Sequence, residues 1–263
     1  MTANSQNINA YFVSDVHLGS PNKTESRKRE KRLVAWLDTI KHDATAIYIM
    51  GDLFDFWFEY RHSVPRGYTR ILGKLAELSD QNISIHFFTG NHDMWMFGYF
   101  EEELGIEVHH KSVVTKIGNH HFFLAHGDGL GPNDIGYKIL KKYFFANRFC
   151  QFLLASLHPN WTLSMANFWS GKSRNANNRK AEYFMGQDHD PLLLYAKRKL
   201  TELPHINYFV FGHQHWPVEK QLTKDSNYIN LGDWIKHFSY AQYDGKQLKI
   251  KHFDTQNDES HTI

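Results

Sequence analysis

Five times along the chain an apolar, β-like run closes on a short loop of glycine, histidine and carboxylate or amide side chains. The loops are Asp15-Val16-His17, Gly51-Asp52-Leu53-Phe54-Asp55, Gly90-Asn91-His92-Asp93, His126-Gly127-Asp128 and Gly212-His213-Gln214-His215. Ahead of the first runs Ile8 to Val13. If that run is a strand, side chains two apart share a face, so Asp15 and His17 make a two-pronged grip for a cation. A single Asp-x-His carries little, because polar residues at strand ends are usually just solvated. Five such loops in one chain are hard to reconcile with solvation alone.

The runs between these loops alternate in period. Leu33, Trp36, Leu37 and Ile40 recur at helical spacing, predicting a helix over about 26–41 that starts at Thr24 or Ser26. Its basic run Arg27-Lys28-Arg29, Lys31-Arg32 reads as a solvated face. Residues 46–50 and 83–89 read as buried strands, with a helix over 68–78 between them. Such strand–helix–strand units place their functional groups at the carboxyl ends of the strands. Gly118-Asn119 between two further runs is a hairpin signature, and its second strand delivers His126. A strand over 206–211 delivers His213 and His215, and runs at 228–231, 238–243 and 247–253 read as a closing β meander. The fold class expected is α/β: two packed sheets, helices outside, and a site built from loops on one edge.

With 263 residues the chain can bury a full core as one domain, with room for an inserted subdomain. A net charge of +2 gives no case for a nucleic-acid partner. The single cysteine, Cys150, excludes an internal disulfide and fits a reducing compartment. Residues 1–7 and 254–263 are polar and expected to be disordered. Residues 1–7 lack a charged-then-apolar export pattern, and no stretch approaches the roughly 20 apolar residues of a membrane span. The expectation is a protein of the cytoplasm or of a membrane surface.

Gathered, the donors are Asp15, His17, Asp52, Asn91, His126, His213 and His215. Imidazole, carboxylate and one amide, without thiolate, suit Mn²⁺, Fe²⁺ or Zn²⁺. Seven are too many for one ion that keeps an open position, and about right for two ions sharing a carboxylate. Two such ions can ionise a water and clamp a phosphoryl group. The chain has 18 histidines, so most are surface or core residues; His62, His86, His109, His110, His120, His121 and His252 take that reading.

These five loops, in this order and spacing, resemble those of the calcineurin-like metallophosphoesterases, over about residues 8 to 253. The resemblance implies a four-layer α-β-β-α sandwich. It implies one divalent metal on Asp15, His17, Asp52 and His215, and another on Asp52, Asn91, His126 and His213, with Mn²⁺ first and Zn²⁺ or Fe²⁺ as alternatives. It makes His92, Asp52 and Asn91 the catalytic residues, with His92 contacting the phosphoryl oxygen or protonating the leaving group. Asp55, Asp93 and Asp128 would orient the ligands.

Between His126 and His213 lies a segment rich in apolar residues, Ile135 to Leu157 and then Trp161 to Trp169. Lysines and arginines fringe it, Lys138, Lys141 and Lys142 among them, and Glu182 is the one acidic residue of 135–185. Such a helical insert fits a lipid chain with an anionic head or a membrane surface; mutual helix packing or a homodimer interface is the alternative. Here the chain resembles the bacterial UDP-2,3-diacylglucosamine hydrolases, pyrophosphatases of lipid A synthesis. The carriers are Gly51-Asp52-Leu53-Phe54-Asp55-Phe56-Trp57, His126-Gly127-Asp128-Gly129-Leu130 with Asp134, and Ser173-x-x-x-Asn177-x-x-Lys180. By that resemblance Asp134, Ser173, Asn177 and Lys180 bind substrate, together with Asn91, His92 and His213. The implied organisation is a core of 8–134 and 186–253 with a helical lid over 135–185, peripheral on the cytoplasmic face of the inner membrane. The implied reaction is hydrolysis of UDP-2,3-diacylglucosamine to UMP and 2,3-diacylglucosamine 1-phosphate. One residue departs from the family's best-known members: they carry arginine after the metal-binding asparagine, where this chain has His92. The alternatives are hydrolysis of a soluble nucleotide and, from another class, a non-catalytic scaffold of the same fold.

Overall fold

The computed structural model describes residues 8–132, 134–158 and 190–253. Strands β1 (Ala10–Val13), β2 (Ala46–Ile49), β3 (Ser84–Phe88) and β4 (Glu107–His109) are parallel neighbours. With β10 (Ser239–Tyr243) and β11 (Leu248–His252) they form a six-stranded sheet in the order β11-β10-β1-β2-β3-β4. The second sheet has five strands in the order β5-β6-β7-β9-β8. These are β5 (Val113–Ile117), β6 (His120–Leu124), β7 (Tyr208–Phe211), β8 (Pro217–Thr223) and β9 (Ser226–Leu231). β6, β7 and β9 run parallel, and the antiparallel β5 and β8 close the edges.

Alternation along each strand builds the layers. Tyr11, Val13, Ile47, Ile49, Ile85 and Phe87 face helices α1 (Lys23–Ile40), α2 (Thr69–Asp80) and α3 (Tyr99–Leu104), meeting Leu33, Trp36, Leu75 and Phe100. The residues between them, Ala10, Phe12, Tyr48, Met50 and Phe88, face Phe122, Leu124, Tyr208 and Val210 of the second sheet. Phe123, Phe209 and Phe211 turn outward onto Leu192, Leu193 and Ala196 of a helix spanning Pro191–Glu202. Strands buried on both faces read as unbroken apolar runs, which is why they were visible in the sequence. The layering is α-β-β-α.

Three sequence expectations change. The closing meander is split: β9 pairs with β7 and β8 in the second sheet, whereas β10 and β11 extend the first beyond β1. All three runs read as β, and periodicity does not say which sheet a strand joins. Helix α1 starts earlier than expected, because Asn22 rather than Thr24 or Ser26 caps it, its Oδ1 accepting from Glu25 N at 3.0 Å. Nor is the basic run wholly solvated. Arg29 is buried and donates to the carbonyls of His17, at 3.0 Å, and Ser20.

After β6 the chain forms α4 (Ile135–Leu140), a π-helical turn (Lys141–Phe145) and α5 (Arg148–Ala155). Their apolar side chains Ile135, Ile139, Tyr143, Phe144, Phe149, Phe152 and Leu153 stand exposed. The helix Pro191–Glu202, α6, is fixed at its start by Asp190, whose side chain accepts from Leu192 N and Leu193 N. Among the described residues no helix is long and apolar enough to cross a membrane.

Candidate metal and active site

The loops that follow β1, β2, β3, β6 and β7 meet at one edge of the sandwich. Asp15 and His17 are not held as neighbours on a strand face, as the sequence spacing implied. β1 ends at Val13, and both residues lie beyond it with left-handed backbone, at φ 56° and 49°. Asp52, His213 and His215 share this conformation, at φ 54°, 69° and 59°. Among the described residues, these five make up most of the seven non-glycine positions with positive φ. Such strain persists where surrounding structure enforces it, and it gathers at functional sites. Here the enforcing contacts are visible: Asp15 N donates to Gly51 O, His17 N to Asp52 O, and His213 N to the Asp15 carboxylate at 2.8 Å. Gly90 has a separate reason, since a Cβ there would collide with the Asp52 side chain.

Three groups of three donors form here, each with its ligand atoms within 4.8 Å of one another: Asp15, His17 and His215; Asp52, His126 and His213; and His17 again with Asp55 and His92. Asp52 joins the first two. Its Oδ2 lies 3.4 Å from His126 Nε2 and 3.8 Å from His17 Nε2. His17 Nε2 is in turn 3.1 Å from His215 Nε2, and His215 Nε2 is 3.2 Å from Asp15 Oδ1. The rings of His126 and His213 stand 5.2 Å apart. His92 packs edge-on against His17 with centroids 4.8 Å apart, its Nδ1 2.9 Å from the Asp55 carbonyl. Asn91 is half-buried in the same loop.

The surroundings fix which atom each group offers. His126 Nδ1 sits 2.8 Å from Met50 O, so its Nε2 is aimed at Asp52. His17 Nδ1 lies 3.4 Å from the Asp55 carboxylate, which turns Nε2 inward. Asp93, wholly buried, accepts from the backbone N–H groups of Gly90, Asp52 and Phe54 and thereby holds two ligand loops together. Asp128 accepts from Tyr137 Oη at 2.7 Å and Lys141 Nζ at 2.6 Å.

Electrostatics follow from two carboxylates buried among imidazoles. Burial would raise Asp52, but the charge of His126 and His92 holds it far below the carboxylate range; Asp15 is held well down against burial by His215 and His17. Burial would lower His17, but the carboxylates of Asp15, Asp55 and Asp52 around it push it up to about 9. His126 is pushed up to about 10 against burial by the charge of Asp52, 3.4 Å away. His213, buried and beside the charge of His126, falls to about 4. Two anionic carboxylates here therefore require two compensating positive charges, protons on His17 and His126 or cations in their place.

Donor chemistry fits cations. Asp15 Oδ1, Asn91 Oδ1, His126 Nε2 and His213 Nδ1 are buried without a hydrogen-bond partner among the described residues. Buried polar atoms are normally satisfied, and four lone-pair donors left so in one place suit divalent metal.

Ser173, Asn177 and Lys180 lie outside the described residues. Asp134 is half-buried at the start of α4. Sequence reasoning missed the support beneath the His213–His215 loop. Asn230 Nδ2 donates to Gly212 O at 2.7 Å, and Gln214 Nε2 to Asp190 Oδ1 at 2.6 Å. Tyr228 Oη donates to Asp190 Oδ2 at 3.2 Å. An Asp-Pro pair before an apolar helical run is a readable helix start, so Asp190 was findable as a cap, but its link to Gln214 was not. Ser14, 2.6 Å from Asp15 Oδ2, and Arg29 were missed as well.

Residues 8–217 match the family described as calcineurin-like phosphoesterase. The chain is 40% identical over 258 residues to a UDP-2,3-diacylglucosamine hydrolase of Porphyromonas gingivalis, covering 92% of this chain and 96% of that one. It is 27% identical over 239 residues to the protein of the same name in Shewanella halifaxensis, covering 91% and 95%. Among solved structures it is similar to Yfce, a phosphoesterase from E. coli, with 17% identity, a TM-score of 0.47 and 93% of each chain covered.

Proposed function

This chain belongs to the calcineurin-like phosphoesterase family, and we propose that it hydrolyses the pyrophosphate of UDP-2,3-diacylglucosamine, releasing UMP and 2,3-diacylglucosamine 1-phosphate. The meeting of two three-donor groups at Asp52 Oδ2 carries the hydrolytic part of this proposal. The substrate is drawn from the relatives of that name, which match this chain nearly end to end.

In this reading Asp15, His17, Asp52 and His215 hold one divalent ion and Asp52, Asn91, His126 and His213 the other, with Mn²⁺ the preferred metal for a thiolate-free set. Two bound ions would supply an ionised water and neutralise charge on the phosphoryl group. The chain's own residues position the rest. Asp93 and Asp55 keep the ligand loops and the His17 ring in place, and the Asp55 carbonyl holds His92 by Nδ1 so that its Nε2 faces Asp52, 4.0 Å away. From there His92 contacts the phosphoryl oxygen or the leaving oxygen, as one titratable donor where arginine would offer a fixed fork.

Residues 135–185 act as a lid over the core of 8–134 and 186–253. The exposed apolar side chains of α4 and α5 support a role in holding acyl chains and in contact with the cytoplasmic face of the membrane. Asp134, Ser173, Asn177 and Lys180 are proposed substrate contacts, alongside Asn91, His92 and His213. The same apolar faces fit a homodimer, which sedimentation would reveal.

The test is UMP release from UDP-2,3-diacylglucosamine in mixed micelles with Mn²⁺, against cyclic nucleotides and an unacylated UDP-sugar. Preference for the diacylated substrate is expected. The opposite ranking would contradict the proposal.

A further inference from the structure

At the free edge of the six-stranded sheet, on β4 and the strand that leads into the Asn91 loop, a second kind of donor group is assembled. β4 is only three residues long and pairs with β3 so that His86 faces Glu107 and Phe88 faces His109. Paired positions in neighbouring strands put side chains on one face, so His86, Glu107 and His109 emerge together. His86 Nδ1 lies 3.1 Å from Glu107 Oε2 and 3.3 Å from His109 Nε2; His109 Nε2 lies 3.7 Å from Glu107 Oε1. A tetrahedral zinc ion with bonds of about 2.0–2.1 Å holds its donors roughly 3.3 Å apart. The two spacings that meet at His86 Nδ1 lie close to that value, and Glu107 offers one oxygen to each histidine.

The rings are set before any ion arrives. Phe12, Tyr48 and His86 stack across β1, β2 and β3, with centroids 4.7 Å and then 4.6 Å apart and planes within 10°. His109 continues the row at 5.5 Å and also packs on Phe88. Ser84 Oγ, 3.3 Å from His86 Nε2, occupies the outer nitrogen and leaves Nδ1 turned toward the other two donors, the arrangement found around metal-ligating histidines. Burial keeps both imidazoles below their ordinary pKa despite the charge of Glu107. They are therefore neutral and able to ligate at pH 7. Glu107 is mostly exposed, its side chain 64% accessible, which leaves the fourth position of such a site to water.

We propose that His86, Glu107 and His109 form a separate site for one divalent ion of the zinc class, clipping the edge strand β4 to β3. Two histidines and a carboxylate suit Zn²⁺, and the oxygen-seeking Mg²⁺ and Ca²⁺ are disfavoured. The clip has a neighbour of consequence. Thr89 N donates to His109 O at 3.0 Å, and Thr89 opens the turn that carries Asn91 and His92. An ion on β4 thus braces the backbone from which those residues project.

The probe is Zn²⁺ itself, dialysed to equilibrium against the full-length protein and counted by elemental analysis, with Glu107→Gln and His109→Ala compared to the wild type. Glu107→Gln changes an exposed side chain and keeps its shape, so the variant folds. One equivalent of zinc fewer in each variant is expected, with hydrolysis in Mn²⁺ retained. Co²⁺ bound in place of zinc should give the visible absorption of a low-coordinate ion, with part of it missing in both variants. Equal zinc content in all three proteins, or a difference seen only at zinc far in excess of protein, would overturn the proposal.

Discussion

Lys141 Nζ donates to Asp128 Oδ2 at 2.6 Å, tying the helical segment after β6 to the loop that begins with His126. The basic fringe of that segment therefore does not all face outward. Asp128 is buried, and the same oxygen also takes the Tyr137 hydroxyl. Lys138 is engaged as well, donating to Gly131 O at 2.8 Å. Exposed apolar residues point away while these polar ones hold the base of the helices to the site.

Lys141→Ala should consequently act on docking and not on surface charge. Breaking a buried pair costs about 3 kcal/mol, but Lys141 is 35% exposed and solvent screens it, so roughly 1 kcal/mol is the reasonable scale. Faster amide exchange across residues 135–145 and slower turnover are expected. Unchanged exchange would mean that the bond contributes nothing to holding α4.

Asn230→Ala removes the donor that holds Gly212 O beneath the His213–His215 turn. Asn230 is fully buried, and its loss takes the acceptor from Gly232 N and leaves Gly212 O with Gln214 N alone, at a cost of about 1–3 kcal/mol. A ligand turn that loses its support typically binds metal roughly 10- to 100-fold more weakly. Metal affinity and the denaturant midpoint should fall together; a drop in stability alone would separate the turn from the metal.

Proton release gives a pH test. His17 and His126 titrate near 9 and 10 in the metal-free protein, so both are charged at pH 7, whereas His213, near 4, is already neutral. A metal must displace protons from the two raised groups, so about two protons should leave at pH 7. Affinity then rises with pH and the release fades above about 10, the upper of the two values. Calorimetry in buffers of different ionisation enthalpy measures this directly, and a heat independent of buffer would contradict it.

His92→Ala should leave metal content intact and lower kcat about 100-fold, the scale of a lost acid–base or phosphoryl contact. The side chain stands beside the Asp15 and Asp52 triads without belonging to either. Loss of metal together with activity would instead make it a ligand.

Much of this was legible because strands buried on both faces leave long apolar runs, and each run ends where a donor begins. The four layers came from the family resemblance; the structure builds them by alternation, as at Phe12 and Val13, which face opposite sides of one sheet. What was not legible depends on closure in three dimensions. Left-handed backbone at Asp15, Asp52 and His215 is imposed by neighbouring loops, and no local propensity announces it. The three-residue β4 and the polar β8, with alternate residues exposed, carry too little apolar signal to stand out. Arg29 reads as one more cation on a helix until the fold puts the His17 carbonyl against it. The His86–Glu107–His109 group needs the β3–β4 register, which spans a gap no spacing rule covers.

The central claim is that Asp52 is shared between two cations. Anomalous diffraction at the manganese edge, from crystals grown with Mn²⁺, tests it most directly. Two peaks on either side of Asp52 Oδ2 are expected, one toward His17 and His215, the other toward His126 and His213. A single peak, or two that leave Asp52 uncoordinated, would contradict the account.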